Sequence, residues 1–242
     1  MLETYGSHPL QSIKVFKGDP SNNSSIVFIH GGGWRDPNNT YDDFEPMCNY
    51  FKTRTNHNLF SINYRLSPEV KHPTHLQDVW AALQYIAKKY PGPMSIVGHS
   101  VGATLSLELL NVRSIAGVTG GEELKIQSIV LIDGIYHIPE LIEEYPSYNS
   151  FVSEAFDSEE SYTQALQVSW TNSLPFEGEP PHILVIFSLQ DELISVRQTE
   201  ILEKYLKQIG ANHQVAKGNW GLHEEVYKNQ EVYELLLANI GK

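Results

Sequence analysis

Short apolar runs bounded by turn residues alternate along the chain with longer amphipathic stretches. The runs at 12–16, 25–30, 59–64, 94–98, 127–133, 183–188 and 213–217 read as strands, and several are apolar without a polar alternate. A strand lacks a polar face when both faces of its sheet are covered, so the pattern predicts an α/β fold with a mostly parallel central sheet and helices on both faces. Segments 42–52, 73–89, 103–111, 196–209 and 224–239 supply those helices; Pro73 suits a first turn and Gly210 suits a helix end. The alternation lapses at about 139–181, where Pro, Tyr, Ser and acidic residues leave only short apolar pieces such as 165–168. That stretch reads as a small helical cap inserted between two core strands of a single domain, 1–242.

Charge sharpens the picture of that insertion. The 242 residues carry 17 Lys and Arg against 29 Asp and Glu, a net charge of −12, which argues against nucleic acid as a partner. No base occurs between Lys125 and Arg197, yet twelve acids do: Asp133, Glu140, Glu143, Glu144, Glu154, Asp157, Glu159, Glu160, Glu177, Glu179, Asp191 and Glu192. The remainder is balanced, so the whole net charge lies in one segment. A solvated acidic surface is its simplest reading. The single cysteine, Cys48, has no internal disulfide partner, and residues 1–11 lack the basic flank and apolar run of a signal peptide. No apolar run approaches a membrane span. The expectation is a cytoplasmic protein, monomer or homodimer, without a membrane partner.

Candidate chemistry begins at Gly98-His99-Ser100-Val101-Gly102, a G-x-S-x-G pattern between an apolar strand and a small-residue helix start. A serine on such a turn is pushed out above the sheet, and the glycines give the backbone room to make it. A serine hydroxyl needs a base, and the base needs an acid to fix its tautomer. In this arrangement the chain order is Ser, acid, His. Of the histidines beyond Ser100, His182 and His213 open strands at the far end of the sheet and His137 comes too early, which leaves His223 after the last strand. Asp191, on the loop after 183–188, is the preferred acid; Asp133, ending the preceding strand, is the alternative triad acid, with bracing the turn at Gly134 as its other role. His30-Gly31-Gly32-Gly33-Trp34 closes the strand 25–29 and offers the backbone N–H groups of Gly32 and Gly33 to an oxyanion, together with that of Val101. Trp34 is open to two readings: it walls the site or stacks on a substrate ring, or it packs the loop.

These motifs resemble the α/β-hydrolase fold and its esterase branch with an HGGG oxyanion loop. Tyr64-Arg65-Leu66-Ser67-Pro68-Glu69 also resembles a segment of that branch in which the Arg and Glu are structural. From about residue 26 onward, including Asp36-Pro37, 131–136, Glu144-Tyr145-Pro146, Asp191-Glu192-Leu193 and Gly221-Leu222-His223, the chain is similar to the fungal kynurenine formamidases, whose His-Gly-Gly-x-Trp motif is met by His30, Gly31, Gly32 and Trp34. The resemblance implies a small-molecule substrate, N-formyl-L-kynurenine, cleaved to formate and L-kynurenine, with no cofactor and no metal. A small carboxylesterase and a non-catalytic binding protein on a hydrolase scaffold are the alternatives.

Overall fold

The computed structural model describes residues 1–19, 22–122, 124–165 and 179–240. Among them, eight strands form one sheet: β1 (Leu2–Thr4), β2 (Ser12–Phe16), β3 (Ser25–Ile29), β4 (Asn58–Ile62), β5 (Met94–His99), β6 (Ile126–Ile132), β7 (His182–Ser188) and β8 (His213–Gly218). Their order is β1-β2-β4-β3-β5-β6-β7-β8; β1 and β2 run antiparallel to their neighbours and every other pairing is parallel. The helices are α1 (Glu45–Lys52), α2 (Thr74–Lys89), α3 (Val101–Glu108), α4 (Val112–Ala116), α5 (Ile138–Glu144), α6 (Asn149–Ala155), α7 (Glu159–Ala165), α8 (Val196–Gln208) and α9 (Gln230–Asn239).

The apolar runs are two-faced because helices cover both sides. Val27 and Ile29 of β3, Ile129 and Leu131 of β6, and Ile183 and Val185 of β7 join the core shared with α2, α3 and α8. Their neighbours Ile26, Phe28, Val130, Ile132, Leu184 and Ile186 join the opposite core with Met47, Cys48 and Phe51 of α1 and Val232, Tyr233 and Leu236 of α9. At roughly 1.5–3 kcal/mol for each large apolar side chain fully buried, these two layers are the main force holding the sheet between its helices. Cys48 is buried in the second of them. Arg65 forks onto the buried Asp78 at 2.8 and 2.7 Å, and the Asp78 carboxyl also accepts the Arg65 N–H at 3.0 Å. Burial alone would raise that carboxyl, but these bonds hold it below its ordinary range.

Several boundaries differ from the sequence expectation. The segment expected as a helix over 224–239 begins at Gln230, because Asn229 caps it by accepting the Glu231 N–H at 2.8 Å; residues 226–228 form a single 3-10 turn. The helix expected over 103–111 ends at Glu108 and gives way to a 3-10 turn and α4. Gly210 does end a helix: it has φ 67°, and the Ala211 N–H closes back on the Leu206 carbonyl at 3.0 Å. The β6–β7 connection carries α5, α6 and α7, while 166–178, including most of the apolar piece at 165–168, lies outside the described residues. Among the described residues no helix is long and apolar enough to cross a membrane.

Candidate active site

Every candidate residue lies beyond the carboxyl end of a strand, on a loop or, for Val101, at a helix start, where open α/β sheets gather their ligands. Ser100 follows β5 with φ 54° and ψ −124°, a conformation seldom adopted by a residue with a side chain, and its N–H is held by the Ile132 carbonyl of β6 at 2.9 Å. The flanking glycines make the turn possible. A Cβ on Gly98 would lie 2.2 Å from the Gly102 carbonyl oxygen, and one on Gly102 would lie 2.2 Å from that of Ile29. Val101 opens α3, so its N–H is among those a helix leaves without an internal acceptor.

His223 stands on the loop after β8 and Asp191 on the loop after β7. His223 Nδ1–H donates to Asp191 Oδ2 at 2.6 Å, with both side chains almost wholly buried. Asp191 Oδ1 accepts the N–H groups of Leu193 and Ile194, each at 2.8 Å, so three donors converge on this carboxylate. Because a carboxylate only accepts, the proton of His223 lies on Nδ1 and leaves Nε2 bare. His99, beside Ser100, donates from Nε2 to the His223 carbonyl at 2.9 Å and lies 4.5 Å from its ring. Burial first, and then the neighbouring His223, push His99 well below its ordinary range, so it stays a neutral clamp.

The glycine loop lies directly against the serine: a Cβ on Gly31 would be 2.9 Å from Ser100 Cβ. The Tyr64 hydroxyl donates to the carbonyls of His30 and Gly31 at 3.1 Å each, and the Gly32 carbonyl accepts the Arg35 and Asp36 N–H groups. In a trans peptide the N–H points opposite the C=O, so anchoring the Gly31 and Gly32 carbonyls turns the N–H groups of Gly32 and Gly33 away from those anchors. Gly32, Gly33 and Trp34 all have positive φ, at 91°, 58° and 60°. His30 stacks on Tyr64 at 4.4 Å and is kept neutral by burial, its value pushed down to about 4. It shapes the loop. The Trp34 side chain is enclosed between Phe151 and Phe156 with none of its surface exposed, which is the packing role and leaves no face for a substrate ring.

Asp133 is also here, with φ 43° and no exposed surface; one oxygen accepts the Ser188 N–H at 2.8 Å. Donor atoms of Asp133, Asp191 and His223 lie within 4.8 Å of one another, as do those of His99, His223 and Glu224. In the first grouping Asp191 and His223 already bind each other, and in the second Glu224 accepts from Tyr227 and Asn39. Residues outside the sequence reading brace the site. Ser188 Oγ donates to the Gly221 carbonyl at 2.5 Å, Gln190 Oε1 accepts the Gly221 N–H at 3.0 Å, and Glu192 accepts the His223 N–H at 2.8 Å. The short polar run 188–192 thus ties the loop of the acid to the loop of the histidine; its density of hydrogen-bonding side chains beside Asp191 was the only available signal.

This architecture defines a class. The α/β hydrolase fold family matches residues 26–213, and the chain belongs to it. The fold is also that of esterase B from Lactobacillus rhamnosis, at a TM-score of 0.81 and 17% identity over 98% of this chain and 83% of that one. Within the family the chain is 45% identical to the kynurenine formamidase of Meyerozyma guilliermondii over 99% of its own length and 93% of the relative's. It is 30% identical to the kynurenine formamidase of Saccharomyces cerevisiae, covering 89% of this chain and 88% of the relative. The chain is a member of the kynurenine formamidase family.

Proposed function

We propose that this chain is a serine hydrolase that cleaves N-formyl-L-kynurenine to formate and L-kynurenine. The observation that carries the substrate is the near full-length likeness to fungal kynurenine formamidases. The geometry supports a route. Ser100 Oγ attacks the formyl carbon while His223 Nε2 takes its proton, and Asp191 steadies the imidazolium that forms. The N–H groups of Gly32, Gly33 and Val101 stabilise the oxyanion. His223 then protonates the departing aryl amine, the C–N bond breaks, and water attacks the formyl ester on Ser100 to release formate. No step calls on a metal or cofactor. The helices α5 to α7 act as a cap: Phe151 of α6 lies 3.6 Å from where a Gly33 Cβ would sit, and the Tyr148 hydroxyl donates to the Leu193 carbonyl on the acid loop at 2.9 Å.

The test compares kcat/KM for N-formyl-L-kynurenine with that for p-nitrophenyl acetate on the same preparation. A preference for the formamide is the expected result. Preference for the ester would move the reading to a carboxylesterase, and turnover of neither would leave a binding protein.

A further inference from the structure

Two carboxyl groups stand behind His223, and their hydrogen bonding separates them. Asp191 receives three donors: His223 Nδ1 and the N–H groups of Leu193 and Ile194. Asp133 receives one, from Ser188, on Oδ1; its Oδ2 is buried without a partner. The titratable groups facing Asp133 are Asp191 and Glu192 from the loop after β7, His223 from the loop after β8, and Tyr136 on its own loop; none is a permanent cation. Two carboxylates sharing a buried site cannot both hold a charge, and the one with more donors ionises first. A proton on Asp133 Oδ2 would make the single unpartnered atom a donor facing an oxygen that only accepts.

We propose that Asp133 is a positioning residue for the hydrolysis, standing protonated and hydrogen-bonding the Asp191 carboxylate, so that one negative charge and not two lies behind His223. The inference rests on Asp191 being the acid of the triad. Burial, and next the charge of Asp191, push the Asp133 carboxyl up to about 9, in keeping with a proton retained across the neutral range. Loss of that proton would place a second anion beside Asp191, push the pair apart and make His223 a poorer donor to the leaving amine.

The test uses Asp133→Asn, Asp133→Ala and Asp191→Asn with N-formyl-L-kynurenine from pH 6 to 10. Asn keeps an acceptor for Ser188 and a donor for Asp191, so Asp133→Asn is expected to hold kcat/KM within about tenfold at pH 7. It is also expected to lose a fall in kcat/KM that the proposal predicts for the parent near pH 9. Asp133→Ala should lower kcat by about 10–100-fold with KM little changed, as loss of a supporting hydrogen bond does elsewhere. A loss of about 10⁴ in Asp133→Asn would overturn the proposal by making Asp133 itself the ionised acid. An unchanged alkaline limb in Asp133→Asn would overturn it too. Should Asp133→Ala fail to fold, the limb in Asp133→Asn still decides. Asp191→Asn separates the two readings: undiminished activity there defeats the triad assignment, whatever Asp133 does.

Discussion

Ser100 is held in a backbone conformation that costs about 1–3 kcal/mol, and the structure stores that strain where the glycines allow the closest approach of three chain segments. Gly102 shows this, because a Cβ there would meet the backbone oxygens of Ile29 and His30 at 2.2 and 2.5 Å, and neither can swing aside. Gly102→Ala is therefore expected to lose roughly 1–3 kcal/mol in urea unfolding and to displace the glycine loop from the serine, lowering kcat more than KM. A variant with parental stability and kcat would show that the loop and elbow are not in contact. The candidates Ser100, Asp191 and His223 were legible in the sequence as a chain order at strand ends, the order that triad chemistry would need. Their supports were not. His99, Ser188, Gln190 and Glu192 all bind backbone groups of a loop about thirty or more residues away in the chain, and no local pattern records such a partner.

At the level of elements, the start of the connection between β6 and β7 is fastened to α8. Gln198 of α8 is wholly buried, accepts the N–H groups of Tyr136 and His137 on one oxygen, and donates to the His137 carbonyl at 3.1 Å. Gln198→Leu would strand two N–H groups and a carbonyl, which predicts a loss of about 2–4 kcal/mol and faster proteolysis within 137–165. Equal proteolysis of parent and variant would contradict that fastening. The central strands β3, β5, β6 and β7 were readable almost to the residue because both faces are covered, so apolar runs begin and end with the sheet. Helix starts were less so, since capping residues such as Asn229 act through single hydrogen bonds that periodicity does not report. β1 escaped notice for the opposite reason: an exposed edge strand, Leu2–Thr4, needs no apolar pattern.

Across the whole molecule the acidic segment is less of an open field than its composition suggests. Arg35 pairs with Glu154 at 2.9 Å, Lys71 with Asp157 at 3.0 Å, and Arg197 with Glu140, so bases flanking the segment in space dock its acids. Glu144 accepts from Ser195. These exposed pairs add little stability individually. Buried groups set the pH response instead. His30 and His75 are held by burial at about 4 and about 3, below their ordinary 6.5, and His99 is lowered as well. Each contributes stability that is whole above about 6.5 and is lost as pH falls through the folded value. Asp133, raised by burial and by Asp191, has the opposite sign: its contribution is whole below about 4 and is lost as pH rises through about 9. These three histidines outweigh the one carboxyl on the acid side, and Asp133 acts on the other. Tm should peak between about pH 6 and 7; a Tm still rising at pH 9 would contradict this.

The most direct test of the account is turnover of N-formyl-L-kynurenine by Ser100→Ala beside the parent, with circular dichroism to show that both are folded. Loss of the serine from a triad lowers kcat by about 10⁶ elsewhere. A loss of at least about 10⁴ in a folded Ser100→Ala protein is the expected outcome; activity within tenfold of the parent would mean that the formyl group is not carried on Ser100 and that the mechanism is wrong.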